Sequence, residues 1–103
     1  MTTEDIRELI VSVDPAAQRY ESTNTGGNYT VWREFERLAT LADNVHPEAW
    51  SFQVDRFTHE EDDPIASALW NALDNDPRVS VRHIVDYEQE TRYIHHIFDC
   101  EGF

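Results

Sequence analysis

The sequence predicts an α+β domain in which two helices pack on one face of an antiparallel sheet made of two long hairpins. Apolar residues recur at helical spacing in two segments, and four further segments alternate apolar and polar residues as half-buried strands do. Aspartate–proline dipeptides lie at boundaries between these predicted elements. The predicted order is α-β-β-α-β-β over one domain, residues 1–103, with flexible loops at about 19–28 and 58–63.

The first helix is predicted from a capping signal, an apolar stripe and a stop signal. Thr2 or Thr3 can cap it, and Asp14 ends it because a residue that precedes proline disfavours the α conformation. The stripe has the i, i+3, i+4, i+7 spacing of a helix that docks by one face. It consists of Ile6, Leu9, Ile10 and Val13.

The first hairpin is predicted from strands near 29–37 and 48–57, which follow one another and are expected to pair antiparallel. A short edge strand is expected at 19–21. The strand at 29–37 carries apolar side chains on both faces, which are Tyr29, Val31 and Phe35 on one and Trp32 on the other. One face is therefore expected to meet the core and the other to meet another subunit.

The stretch from Trp50 to Leu73 is predicted to be a central strand–turn–helix unit. Asp63 is expected to cap the helix, with Pro64 at its first position. The stripe of this helix comprises Ile65, Ala66, Leu69, Trp70 and Leu73. Two more alternating segments, 79–86 and 92–100, are predicted to form the second hairpin.

The charge of the chain excludes several classes of function. The formal net charge is −13, from 21 acidic residues against 8 lysines and arginines. Such a field repels the phosphate backbone, so no sequence-specific nucleic-acid binding is expected.

No run approaches the roughly 20 apolar residues of a membrane helix, and the acidic N-terminus is not a signal peptide. The single cysteine excludes an internal disulfide.

Residues of the kinds that bind zinc cluster near the C-terminus, at His95, His96, Asp99 and Cys100. His96 and Cys100 share a strand face but lie about 13 Å apart at about 3.3 Å per residue. Zinc holds its ligands at about 2.0–2.3 Å, so this pair cannot chelate one ion. His83 could approach His96 or Cys100 across the hairpin, but the pattern does not require it.

The acidic run from Glu60 to Asp63 has a structural explanation. Carboxylates are favoured at the positive end of a helix, and the run lacks the alternating ligands and central glycine of a calcium loop. Gly26 and Gly27 do not form a phosphate loop because no lysine and no helix follow them. The sequence therefore predicts no catalytic residue, no metal and no cofactor.

Four stretches together carry a family resemblance. They are Tyr29-Thr30-Val31-Trp32 after a glycine turn, Gln53–Phe57 at the end of the next strand, Asp63–Leu73 as the helix, and Tyr87-Glu88 with Thr91–His96 as the closing hairpin. Over about residues 3–100 this arrangement resembles the small tail-terminator or tail-completion proteins that join head and tail in long-tailed bacteriophages.

The resemblance implies a structural virion protein without catalytic residues. Family members form rings, usually hexamers, that cap the tail tube and join it to the head connector. The implied partners are other copies of the chain, the tail-tube protein and the head-connector protein. The implied locations are the head–tail junction of the virion and, during assembly, the host cytoplasm. The candidate interface residues are Tyr29, Trp32, Glu34, Glu60, Glu61, Asp62, Asp63, Tyr93 and His95.

Two other classes of function stay open on the sequence alone. An acidic inhibitor that mimics DNA and binds a basic nucleic-acid enzyme would carry its carboxylates along one exposed face. A small enzyme would depend on His83, His96 and Cys100.

Overall fold

Two helices and a five-stranded sheet make up the part of the chain that the computed structural model describes, which is residues 1–24, 26–38 and 48–103. In chain order the elements are α1 (Thr3–Val13), β1 (Gln18–Arg19), β2 (Tyr29–Arg37), β3 (Trp50–Thr58), α2 (Pro64–Asn75), β4 (Val79–Glu88) and β5 (Tyr93–Gly102). The predicted α+β class is confirmed.

Both helices begin at the side-chain caps that the sequence predicts. At α1 the Thr2 hydroxyl accepts a hydrogen bond from the Asp5 backbone N–H at 3.0 Å, and an Asp5 carboxylate oxygen accepts one from the Thr2 N–H at 2.8 Å. This capping box satisfies two N–H groups that the helix itself leaves without partners. At α2 the Asp63 carboxylate accepts from the Ala66 N–H at 3.1 Å, and Pro64 is the first helical residue.

The strands lie in the order β1-β2-β3-β5-β4. The β2–β3 and β4–β5 hairpins are antiparallel, as predicted. β3 also pairs antiparallel with β5, a pairing that the sequence does not predict, and β1 is parallel to β2. The edge strand also differs from the predicted 19–21, because Tyr20 adopts a positive φ of 72° that ends the strand. At the other end β5 continues to Gly102, which pairs with both Trp50 and Val79.

The core lies between the two helices and one face of the sheet. Trp32 pairs with Val54, and Val54 with Phe98, so these three side chains share that face. The buried core consists of Ile6 and Ile10 from α1, Leu69 and Leu73 from α2, and Trp32, Phe52, Val54, Phe98 and Cys100 from the strands. Both helices therefore pack on the same side of the sheet.

A buried arginine in β3 connects the sheet to both helices. Arg56 is 4% exposed, and its Nε donates to Asp63 Oδ2 at 2.8 Å at the start of α2. Its Nη1 lies 3.7 Å from Asp14 Oδ2, at the end of α1, and 3.4 Å from the Thr30 hydroxyl. One guanidinium thus bridges the caps of two helices.

Part of one predicted segment lies outside the described residues. The connection between the first two long strands, including Pro47, falls largely on residues 39–47. Thr25, in the predicted loop at 19–28, is also outside them.

The helices are short. They contain 11 and 12 residues, and within the described ranges no helix is long and apolar enough to cross a membrane.

Candidate functional site on the open face of the sheet

The sheet face opposite the two helices, here called the open face, carries a row of aromatic side chains at one end. Alternation along the strands places Tyr29, Phe57 and Tyr93 on it, on β2, β3 and β5. The cross-strand register brings them together, since Phe57 pairs with Tyr29 on one side and with His95 on the other. Neither helix contributes to this face in the part of the chain that the structure describes.

Tyr29, Phe57, Tyr93 and His95 form a continuous cluster, here called the aromatic cluster. The Phe57 ring stacks on Tyr29 with centroids 4.7 Å apart and on His95 at 4.1 Å. Tyr93 meets the edges of Tyr29 and Phe57, with both centroid distances 5.8 Å. All four side chains are half-buried, so each keeps part of its surface for a partner.

Polar contacts fix the orientation of the cluster. His95 Nε2 lies 2.7 Å from Asp55 Oδ1, and its Nδ1 lies 3.7 Å from Glu88 Oε1, so the ring is held between two carboxylates. Tyr93 Oη donates to the Gly27 carbonyl at 2.8 Å. Burial, together with nearby acidic groups, raises the pKa of Tyr29, which keeps its hydroxyl neutral. The cluster is an aromatic patch with an acidic rim, and polar contacts hold two of its side chains, Tyr93 and His95.

Three of the nine predicted interface residues, Tyr29, Tyr93 and His95, belong to this cluster. The prediction missed Phe57, although it is the ring that joins the others. The sequence did contain a signal for it. Phe57 follows Ser51, Gln53 and Asp55 on the polar side of β3, so its large aromatic side chain interrupts an otherwise polar row.

Two other predicted interface residues lie elsewhere. Trp32 is 2% exposed and belongs to the core, so its predicted role at a subunit interface is wrong. The Glu34 carboxylate binds Arg19 at 2.8 Å and accepts a hydrogen bond from the Tyr20 hydroxyl. Although partial burial raises the pKa of Glu34, these hydrogen bonds outweigh it and hold the pKa below its usual value. Glu34 thus anchors the segment around β1.

The predicted acidic residues divide into two groups. Glu60, Glu61 and Asp62 are exposed in the turn before α2, whereas Asp63 is buried as its cap. None of the four belongs to the aromatic cluster. Asp62 and Asp63 instead line an open pocket on the helix side of the sheet.

This pocket, of about 380 Å³, lies between α2 and the β4–β5 hairpin. His83 Nε2 and His96 Nδ1 face each other in it at 3.0 Å, so one ring donates a hydrogen bond and the other accepts it. The predicted approach of His83 to His96 is therefore found. The His83 ring also stacks on Phe98 at 4.5 Å and on Trp70 at 5.9 Å.

Cys100 does not join this pair. It is buried in the core, and burial raises its pKa, so the sulfur stays protonated. Among the described residues, no group of three or more histidine, cysteine, aspartate or glutamate side chains is placed to hold a metal ion.

The histidine pair should make stability depend on pH. Partial burial lowers the pKa of His83, and burial with the nearby His83 lowers that of His96, below the ordinary value of 6.5. In the unfolded chain both histidines take up protons near pH 6.5, whereas in the folded chain they do so only at lower pH. In that pH range the unfolded chain binds more protons than the folded one, so the free energy of unfolding falls as pH falls. We expect this loss to begin near pH 6.5.

The double variant His83→Gln, His96→Gln should flatten this dependence, as measured by urea unfolding at a series of pH values from about 8 to about 5. Above about pH 7.5 the pair is neutral in both states, and there the pH dependence of the two proteins should be equal. Asp5 and Asp76, with pKa values held below 3.8 by hydrogen bonds from Thr2 and Arg78, act only at lower pH. An unchanged slope between pH 6.5 and 5 would contradict the prediction.

No protein-family model matches this sequence, and no curated protein matches it closely enough to count as a relative.

Proposed function

We propose that this chain is a tail-terminator or tail-completion subunit of a long-tailed bacteriophage or prophage, a structural protein that forms a ring at the head–tail junction. The observation that carries the proposal is the aromatic cluster on the open face of the sheet. Interfaces are enriched in tyrosine and phenylalanine, and a few clustered aromatic residues supply most of their binding energy. The sequence resemblance supplies the identity of the assembly.

The partners follow from the proposed assembly. They are other copies of the chain, in a hexameric ring, together with the tail-tube protein and the head-connector protein. The protein would act in the virion, at the head–tail junction, and in the host cytoplasm during assembly.

The strong negative charge is consistent with this role. A ring through which DNA passes must not bind it, and an acidic chain gains nothing from releasing the counterions of the phosphate backbone. Carboxylates of Asp55 and Glu88 border the aromatic cluster itself, so a partner that covers it would present cations or hydrogen-bond donors at its rim.

The DNA-mimic alternative fits the open face less well. A mimic of the phosphate backbone needs carboxylates spaced along the whole face. The open-face positions of β5 are instead aromatic or aliphatic up to Ile97 and become acidic only at Asp99 and Glu101. These apolar positions favour a partner that covers apolar area over one that binds carboxylates alone.

The proposal implies that a tail-tube protein is encoded in the same phage or prophage genome, and that protein is the partner for the test. The purified chain should bind tube ends, seen as terminal rings by electron microscopy and as co-sedimentation with tubes. The double variant Tyr29→Ser, Tyr93→Ser removes two rings of the cluster. We expect its binding to be weaker by about tenfold to about a hundredfold, the effect of losing interface hot spots.

The matched control is Phe103→Ser, which removes an aromatic ring that is 46% exposed, at the end of β5 far from the cluster. It should bind tube ends like the parent chain. A chain that never associates with tube ends, or a control that loses as much binding as the double variant, would reject the proposal.

A further inference from the structure

Strand β4 is a long, exposed sheet edge that carries charged residues, at Arg82, Asp86 and Glu88, but lacks the other features that usually protect such edges. It is ten residues long, pairs with β5 without interruption from Val79 to Glu88, and lies last in the sheet order. Within the described residues no strand pairs with its outer side. Natural edges are usually blunted by lysine, proline or a bulge. β4 contains neither lysine nor proline, and its pairing shows no bulge.

The centre of this edge is apolar. Ile84 is 41% exposed, Val85 56% and Tyr87 55%. Ile84 lies on the open face, whereas Val85 and Tyr87 lie on the helix side, so both faces of the edge carry exposed apolar area. An unprotected apolar edge is a template for another strand.

We propose that β4 pairs antiparallel with β4 of a second copy of the chain, which joins two sheets into one across a two-fold axis. A two-fold axis perpendicular to the sheet keeps the open faces of the two copies on one side. With Ile84 on the axis, Ile84 meets Ile84 of the second copy, and Arg82 lies opposite Asp86 of the second copy. The symmetry forms this ion pair twice.

Charge complementarity selects this register and this partner. Arg82 is the only cation of β4, and its side chain is 72% exposed while it contacts Asp99 at 3.0 Å. Shifting the axis to Val85 places Ile84 against the Asp86 carboxylate of the second copy. Shifting it to His83 places Arg82 against Ile84 of the second copy. The register centred on Val85 also pairs Arg82 with Glu88 of the second copy, but it leaves Ile84 against a carboxylate. Of these three registers, only the one centred on Ile84 gives Ile84 an apolar partner and Arg82 an anionic one.

This pairing goes beyond the proposed ring. Neighbours in a cyclic ring meet through two different surfaces, whereas a two-fold contact joins one surface to itself. The β4–β4 dimer is therefore proposed as a property of the isolated chain, and it can be tested without any tail component.

The test is sedimentation of the full chain from about 1 µM to about 1 mM, the range in which a small interface dissociates. We expect a monomer–dimer equilibrium. Ile84→Lys places two lysines side by side on the axis and should weaken the dimer at least about tenfold. Tyr20→Lys, a matched change at a 59% exposed residue beside the opposite edge, should leave it unchanged.

Charge exchange tests the register. Arg82→Asp and Asp86→Arg each place like charges opposite one another and should weaken the dimer. The double variant restores opposite charges in both copies and should restore dimerisation, with circular dichroism confirming that each variant is folded. A chain that stays monomeric throughout, a dimer indifferent to Ile84→Lys, or a double variant no stronger than the single ones would each overturn the proposal.

Discussion

Replacing Arg56 by methionine is expected to lower the free energy of unfolding by about 3–5 kcal/mol, the usual result of removing one member of a buried ion pair. The change leaves the Asp63 carboxylate, which is 3% exposed, without the guanidinium that binds it at 2.8 Å. Asp14, also buried, is deprived of the same cation. Urea unfolding followed by circular dichroism measures the destabilisation.

Arg82→Met is the matched control, because Arg82 contacts Asp99 at 3.0 Å but is 72% exposed. Both variants are compared at about 1 µM, at the low end of the range in which the proposed β4 dimer dissociates, so that dimerisation adds little to stability. Exposed ion pairs contribute about 0–1 kcal/mol, so this variant should be nearly as stable as the parent. The double variant Arg56→Met, Asp63→Asn keeps an oxygen that can cap α2 and removes one of the two buried carboxylates that lose the guanidinium. It should be more stable than Arg56→Met alone. Equal effects of Arg56→Met and Arg82→Met would contradict the role assigned to Arg56.

Local signals explain why the sequence predicts the elements well. The caps at Thr2 and Asp63 and the strand at 29–37 depend on residues that are close in sequence, and the structure confirms all three. Each is encoded by side-chain hydrogen bonds within one turn or by the period of one strand.

Pairings between distant segments could not be predicted in the same way. No local sequence pattern indicates that β5 lies between β3 and β4, or that β1 runs parallel to β2. Arg56 shows the same limit, because alternation places it in the row of Phe52 and Val54 but a charged residue is usually exposed. Its burial depends on Asp14 and Asp63, which approach it only in the folded chain.

The candidate site was predicted in part for a similar reason. Alternation places Tyr93 and His95 on one face of β5 and Tyr29 on one face of β2, but it does not tell which face is open, and β2 and β5 are not neighbours in the sheet. Phe57 on β3 lies between these strands and links the rings. The cluster therefore follows from the strand order, which the sequence does not reveal.

Strand β2 carries apolar residues on both faces, so its sequence alone does not tell which face meets the core. The structure assigns Trp32 to the core, at 2% exposure, and Tyr29 to the open face. Trp32→Ala is therefore expected to lower the free energy of unfolding by about 3–5 kcal/mol, since a large cavity replaces the ring. It also removes the cation–π interaction with the Arg19 guanidinium, which lies 5.0 Å from the ring centroid.

Tyr29→Ala is the matched change on the same strand. It is expected to affect binding to tube ends more than stability. It breaks two aromatic pairs, with Phe57 and Tyr93, each worth about 0.5–1.5 kcal/mol beyond the buried area, and leaves no enclosed cavity because Tyr29 is only partly buried. It should therefore cost less stability than Trp32→Ala, yet weaken association with tube ends. Urea unfolding and tube co-sedimentation of both variants measure the two effects separately. Because domains of this size are stable by about 5–15 kcal/mol, Trp32→Ala should remove a larger share of the free energy of unfolding than Tyr29→Ala does. A stable Trp32→Ala protein that failed only in binding would place Trp32 at an interface and refute its assignment to the core.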